Sequence, residues 1–157
     1  MKEIKILLED GVEIPKYETS KASGMDMRAW KYSLPDDLRT ILDFPEKGIT
    51  LQPHERVLIK TGIKVELPDG YEFQLRPRSG LSLKKGIVAQ LGTIDEDYTG
   101  DIGIILLNTS NKLFTVEKGE RYGQIVFSKV DKFEWNITNE IKKVSDRGEG
   151  GFGHTGE

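Results

Sequence analysis

Residues 56–76 read Arg56-Val-Leu-Ile-Lys-Thr-Gly-Ile-Lys-Val-Glu-Leu-Pro-Asp-Gly-Tyr-Glu-Phe-Gln-Leu-Arg76. The run 56–67 carries β-branched residues in partial alternation around Gly62, and Tyr71, Phe73 and Leu75 alternate again after it. A period of two is the pattern of a half-buried strand. Pro68-Asp69-Gly70 punctuates the two runs as a turn, so together they are expected to form a hairpin or meander. Moving outward, the continuous apolar run at 101–107 reads as a buried strand, and 121–130 alternates around Ile125 and Phe127. Weaker strands are expected at 4–7, 25–30, 49–51, 86–89 and 113–116. Many short strands with turns between them indicate an all-β barrel or sandwich. Helical signals are sparse. Ser79 to Gly86 can give about two turns, with Ser79 as N-cap and Gly86 as stop. Residues 35–43 are expected to give a further helical turn.

The composition agrees with one domain of 157 residues. There is no Cys, which excludes disulfides, thiol nucleophiles and cysteine-ligated metal centres, and two His leave no room for a His-rich one. The formal net charge of −3 advertises no field for nucleic acid. No apolar run approaches the ~18 residues of a membrane span, and Met1 to Asp10 lacks a signal-peptide core. The expected location is therefore the cytoplasm, with neither nucleic acid nor membrane as partner. From Arg147 onward the composition changes: five of the last eleven residues are Gly and the single apolar side chain is Phe152. Such a segment reads either as a frayed tail or as a lid whose glycines close backbone N–H groups on phosphates, with Arg147 and Phe152 adding charge and a stacking face. The expected division is a β-barrel domain over 1–134 and a C-terminal arm over 135–157, ending in the Gly-rich stretch 147–157.

Two familiar patterns fail on context. Gly151-Phe-Gly-His-Thr-Gly156 matches a dinucleotide fingerprint, but it does not follow a strand within a βαβ unit. Asp95 to Gly100 imitates the start of a calcium loop, but its twelfth position is Leu106, where a bidentate Glu is required. Four constellations remain. Arg76-Pro-Arg-Ser-Gly-Leu81 precedes the candidate helix; it is either a capped turn or an anion site in which Arg78 forks onto phosphate oxygens. Gly92 to Asp101 gathers four acids and Tyr98; it is either a solvated hairpin or a loop carrying a general base. Ala22 to Ala29 places Asp26 in a strand, as a turn cap or as a carboxylate near a phosphate-held Mg²⁺. Gly119 to Phe127 carries Gln124 on a strand, where such a side chain is usually a surface group or a satisfied core one.

In this order and combination the constellations, together with Arg147 to Gly156, resemble the five motifs of the trimeric all-β dUTPase family. The resemblance spans 22–156. It implies a distorted β-barrel of jelly-roll type with one short helix and a flexible Gly-rich C-terminal arm. It also implies a homotrimer with active sites at subunit interfaces, the arm closing over a neighbour's site. The implied reaction converts dUTP and water to dUMP and pyrophosphate, with Mg²⁺ on the triphosphate. By the same resemblance Asp95 is the general base for the water attacking the α-phosphorus. Arg78, Ser79, Gly80, Gln124 and Arg147 contact the phosphates, and Asp26 reaches Mg²⁺ through its water. Tyr98 packs under the deoxyribose and Phe152 stacks on uracil. Backbone groups of a hairpin at about 88–94, including Ala89, Gly92 and Ile94, read the uracil edge. A buried mismatch there leaves polar groups unpaired.

Departures from the family pattern are Met27 for a common Leu, Tyr122-Gly123 for a frequent Ile-Ala, and His154 for the usual Ser. The stretch 33–48 is longer than the family minimum. The rival enzyme is a dCTP deaminase, which shares the barrel and a similar Arg-Ser turn but needs no stacking arm. The rival from another class is a dUTP-binding module that signals to a protein.

Overall fold

The computed structural model describes residues 3–142, and among them it holds thirteen strands and one helix. In chain order these are β1 (Lys5–Leu8), β2 (Gly24–Arg28), β3 (Lys31–Leu34), β4 (Asp37–Asp43), β5 (Ile49–Leu51), β6 (Arg56–Lys60) and β7 (Ile63–Glu66). They continue with β8 (Tyr71–Pro77), α1 (Ser79–Lys85), β9 (Ile87–Ala89), β10 (Gly92–Ile94), β11 (Gly103–Asn108), β12 (Phe114–Val116) and β13 (Arg121–Lys129). The all-β class read from the sequence holds.

Two larger sheets form the body, in the orders β10-β8-β13-β2 and β4-β3-β6-β11-β9, with β1-β7 and β12-β5 as two-stranded pairs. Period-two burial turns one face of each sheet inward. Phe73, Leu75, Met27 and Ile125 from the first sheet and Val57, Ile59, Ile104, Leu106 and Ile87 from the second belong to one core cluster. The sheets approach closely at Gly123, where an added Cβ would lie 3.1 Å from Leu75 Cδ1 and 3.5 Å from Ile104 Cδ1. Met27 is fully buried, so its exchange for Leu conserves volume in the core. Neighbouring Tyr122 is 4% exposed; its hydroxyl accepts the Glu117 N–H at 2.8 Å and its ring meets Phe114 edge-on.

The run 56–67 is broken where Gly62 takes φ +70. β6 pairs with β3 and β11, whereas β7 pairs with β1 and β8 with β13 and β10. The expected hairpin or meander of 56–76 is thus replaced by three strands in three different sheets. Local alternation reports burial and says nothing of which strand lies alongside. The expected helical turn at 35–43 is instead β4, joined to β3 by the two-residue turn Pro35-Asp36 to make a hairpin at the sheet edge. Asp37 accepts the Arg39 and Thr40 N–H groups there, so its turn chemistry starts a strand rather than a helix. This hairpin accounts for most of the long stretch 33–48. The helix α1 begins one residue differently from expectation: Arg78, with φ −94 and ψ 116, is the N-cap, and Ser79 is already helical. Gly86 ends it in the left-handed conformation at φ 66, as the sequence indicated.

Candidate active site

β8 and β13 run antiparallel with Gln124 opposite Arg76, and Gln124 also stands opposite Asp26 on β2. This register brings motifs from three parts of the chain to one end of the first sheet. A cavity of about 390 Å³ there is lined by Asp26, Arg78, Ser79, Gly80, Lys84, Lys85 and Gln124. Three cations face one carboxylate, so the cavity suits an anion that brings its own counter-charge. Gln124 Nε2 donates to the Pro77 carbonyl at 3.0 Å. A Cβ at position 24 would lie 2.5 Å from Gln124 Oε1, so a larger residue there would make the end of this side chain shift.

Asp26 is tied by both oxygens. Arg78 Nε lies 3.1 Å from Oδ1 and Arg121 Nη1 lies 3.0 Å from Oδ2. Arg121 was not singled out from the sequence, yet it also accepts a hydrogen bond from Arg78 Nη1 on its carbonyl at 2.9 Å. The β13–β2 register shifts between Arg121 and Gly123, and such a bulge re-aims the side chain beside it. That shift is not visible in a linear alternation.

Asp95 lies elsewhere. It is exposed at the end of β10 and lines a separate cavity of about 280 Å³ with Tyr71, Glu72, Glu96, Asp97, Val130 and Lys132. Tyr98, 43% exposed, donates from its hydroxyl to the Asp101 carbonyl at 2.9 Å. A Cβ on residue 100 would lie 2.4 Å from that hydroxyl, which explains Gly100. Burial raises the Asp101 carboxyl, while the Thr61 N–H bound to it opposes the shift. Burial likewise pushes the Tyr122 hydroxyl up to about 12. The Lys132 ammonium, followed by the Gly70 N–H, holds the Glu96 carboxyl below its usual range.

Ile94 pairs with Phe73, so Asp95 falls beside Glu72, while Asp26 is level with Arg76 and three strands away. Four residues along a strand and three inter-strand spacings across separate Asp95 from Asp26 by roughly 19 Å. One chain therefore holds the cavity lined by Asp26, Arg78 and Gln124 apart from the Asp95–Tyr98 loop.

The segment 88–94 is not a mutually paired hairpin, as expected, but a corner between sheets. β9 pairs with β11 and β10 with β8, and each is the edge strand of its sheet. Ala89 and Ile94 bury their side chains, Gly92 sits between them, and both strands keep one backbone edge free within the sheets. Arg147 and Phe152 lie outside the described residues, as does His154. Among the described residues no three His, Cys, Asp or Glu side chains gather to hold a metal ion. The single carboxylate of Asp26 fits a Mg²⁺ held chiefly by substrate phosphates and does not fit an all-protein cage. No helix among the described residues is long and apolar enough to cross a membrane.

A sequence model of dUTPase matches residues 10–156. The chain belongs to the dUTPase family. It is similar to the deoxyuridine 5'-triphosphate nucleotidohydrolase of Fusobacterium nucleatum, with 43% identity over 99% of this chain and 97% of that protein. It is similar also to that of Finegoldia magna, with 43% identity over 98% of each. In shape it is similar to the dUTPase of Staphylococcus bacteriophage 80alpha with dUpNHpp, with a TM-score of 0.79 and 26% identity over the whole of both chains. The dUTPase of phage phi11, solved to reveal coordination of a structural Mg(II) ion, gives a TM-score of 0.74 at 20% identity, with 90% of this chain and all of that one aligned. The family match takes in all five motifs of the sequence, and four of them lie within the described residues.

Proposed function

We propose that the protein hydrolyses dUTP to dUMP and pyrophosphate at sites completed between copies of the chain in a homotrimer. The observation that carries the reading is the Asp26–Arg78–Arg121–Gln124 cradle at one end of a sheet whose far edge bears Asp95. A general base must lie within about one water of the phosphorus it serves. At roughly 19 Å the two halves do not meet in one chain, so a second copy supplies the missing half. Exposed Leu91, Phe133 and Trp135, at 67%, 79% and 90%, are apolar surface available for such contacts. The phage relative's dUpNHpp supports a deoxyuridine triphosphate as the ligand.

In this reading Asp95 takes the proton of a water whose oxygen forms a bond to the α-phosphorus. The bond from that phosphorus to the bridging oxygen breaks, and pyrophosphate leaves. Arg78, Ser79, Gly80 and Gln124 hold the phosphates, and Arg147 adds a contact from the arm. Mg²⁺, when bound, would offset phosphate charge, and Asp26 is the residue that would help to hold it. Tyr98 forms the floor under the deoxyribose, where a 2′-hydroxyl would clash. The free edges of β9 and β10, about Ala89, Gly92 and Ile94, read uracil, and Phe152 covers it. The arm over 135–157 acts apart from the β-domain of 1–134.

Incubation with dUTP, dCTP, UTP and dTTP, each with Mg²⁺, tests the reading. Pyrophosphate is expected from dUTP alone. Asp95→Asn is expected to lower turnover by ~10²–10⁴. Ammonia from dCTP would transfer the protein to the deaminase branch, and dUTP binding without turnover would leave a binding module.

A further inference from the structure

We infer that Glu96 is a positioning residue that fixes Asp95 through a closed ring of bonds joining the catalytic loop to the point where the chain leaves its last strand. The inference rests on the reaction proposed above, in which Asp95 is the base.

Among the described residues no hydrogen bond or ion pair reaches the Asp95 carboxylate, and the residue is exposed. Its orientation must come from what holds its neighbours. On one side Ile94 is buried and paired with Phe73. On the other, Glu96 accepts from the Gly70 N–H with one carboxylate oxygen and from Lys132 Nζ with the other. The Gly70 carbonyl in turn accepts the Val130 N–H at 2.9 Å. The ring therefore runs from Glu96 through Gly70 and Val130 to Lys132 and back to Glu96.

Each member depends on local structure. Gly70 takes φ +75 at the end of the Pro68-Asp69-Gly70 turn, a conformation that favours glycine. Beside it, Tyr71 stacks on Phe127 at 4.7 Å with the rings within 7° of parallel, which anchors the turn to β13. Lys132 is 72% exposed, and an isolated pair on such a surface is worth little. The bond to the Gly70 N–H joins a carboxylate to a backbone group just before β8 and is the stronger restraint. Consecutive Cα atoms are about 3.8 Å apart, so confining Glu96 confines Asp95. Acceleration by a positioned base is lost steeply with small displacements, by about 10²-fold for 1 Å.

The test compares Glu96→Ala, Glu96→Gln and Lys132→Met with the unaltered protein in dUTP hydrolysis, with melting temperatures alongside. Glu96→Ala is expected to lower kcat by ~10–100-fold while KM stays within about twofold. Glu96→Gln keeps an acceptor for Gly70 and Lys132→Met keeps the Glu96 carboxylate on it, so both are expected to retain most of kcat. If Glu96→Ala fails to fold, Glu96→Asp, one methylene too short to reach both partners, is read in its place. A lowered kcat at unchanged KM would support the positioning role. An unaltered kcat with a lowered melting temperature would leave only a structural role and overturn it. Glu96→Gln as inactive as Asp95→Asn would also overturn it, because Glu96 would then be the base. Absence of hydrolysis by the unaltered protein would sink the reaction itself, which distinguishes the two failures.

Discussion

Arg121 shows how one side chain can organise a site without standing in an obvious position for it. Its guanidinium holds Asp26 at 3.0 Å and its carbonyl holds Arg78 at 2.9 Å. Arg121→Met removes the first contact and keeps the second. A charge-assisted bond of this kind is worth about 1.5–3 kcal/mol. Steady-state kinetics on dUTP should therefore show kcat/KM lowered by ~10–100-fold, and a wild-type value would remove Arg121 from the cradle. The sequence shows Arg121 inside a recognisable motif but not where it points, because the register shift before Gly123 turns the side chain toward β2. Residue types and order were enough to single out Asp26, Arg78 and Gln124 as candidates. Their common cavity was not, because it depends on strands brought together from positions 26, 78 and 124.

At the level of elements, turn chemistry was read more securely than pairing. Gly86 was legible as a stop, and the structure gives it φ 66. The run through Gly62 was legible as strand but not as two strands in separate sheets, because alternation continues on both sides of the break. At Gly62, φ is +70 and a Cβ would lie 2.7 Å from Val12 Cγ2 and 2.9 Å from Trp30 Cδ1. Gly62→Ala combines backbone strain with a steric clash. It should lower stability by about 1–3 kcal/mol, measured by denaturant unfolding. A change within ~0.5 kcal/mol would mean that the N-terminal segment and Trp30 yield freely. The hairpin β3–β4 was missed for a simpler reason. Pro35-Asp36-Asp37 resembles a helix start, and the Asp37 bonds to Arg39 and Thr40 would serve either a turn or a cap.

For the whole molecule, the distance between the Asp95 loop and the Asp26 cradle dominates. If each site takes its loop from one copy and its cradle from another, two inactive variants should rescue each other. Asp95→Asn chains keep a sound cradle, and Arg78→Ala chains keep a sound loop. Equal mixing with random reassembly leaves about one site in four with both parts sound, since each part is intact with a probability of about one half. Activity near a quarter of that of the unaltered protein is expected after co-refolding. Activity no higher than the sum of the separate variants would confine each site to one chain. From the sequence such a division is implied only by family resemblance, since no local pattern reports how far apart two motifs will be folded.

On the proposed reading, the same separation would make turnover subject to mass action. In the proposed assembly a lone chain would carry half of two different sites and a whole one of neither, so the rate per chain would depend on how many chains have found one another. Dilution below the dissociation constant of the assembly would silence the protein without unfolding it or altering any residue.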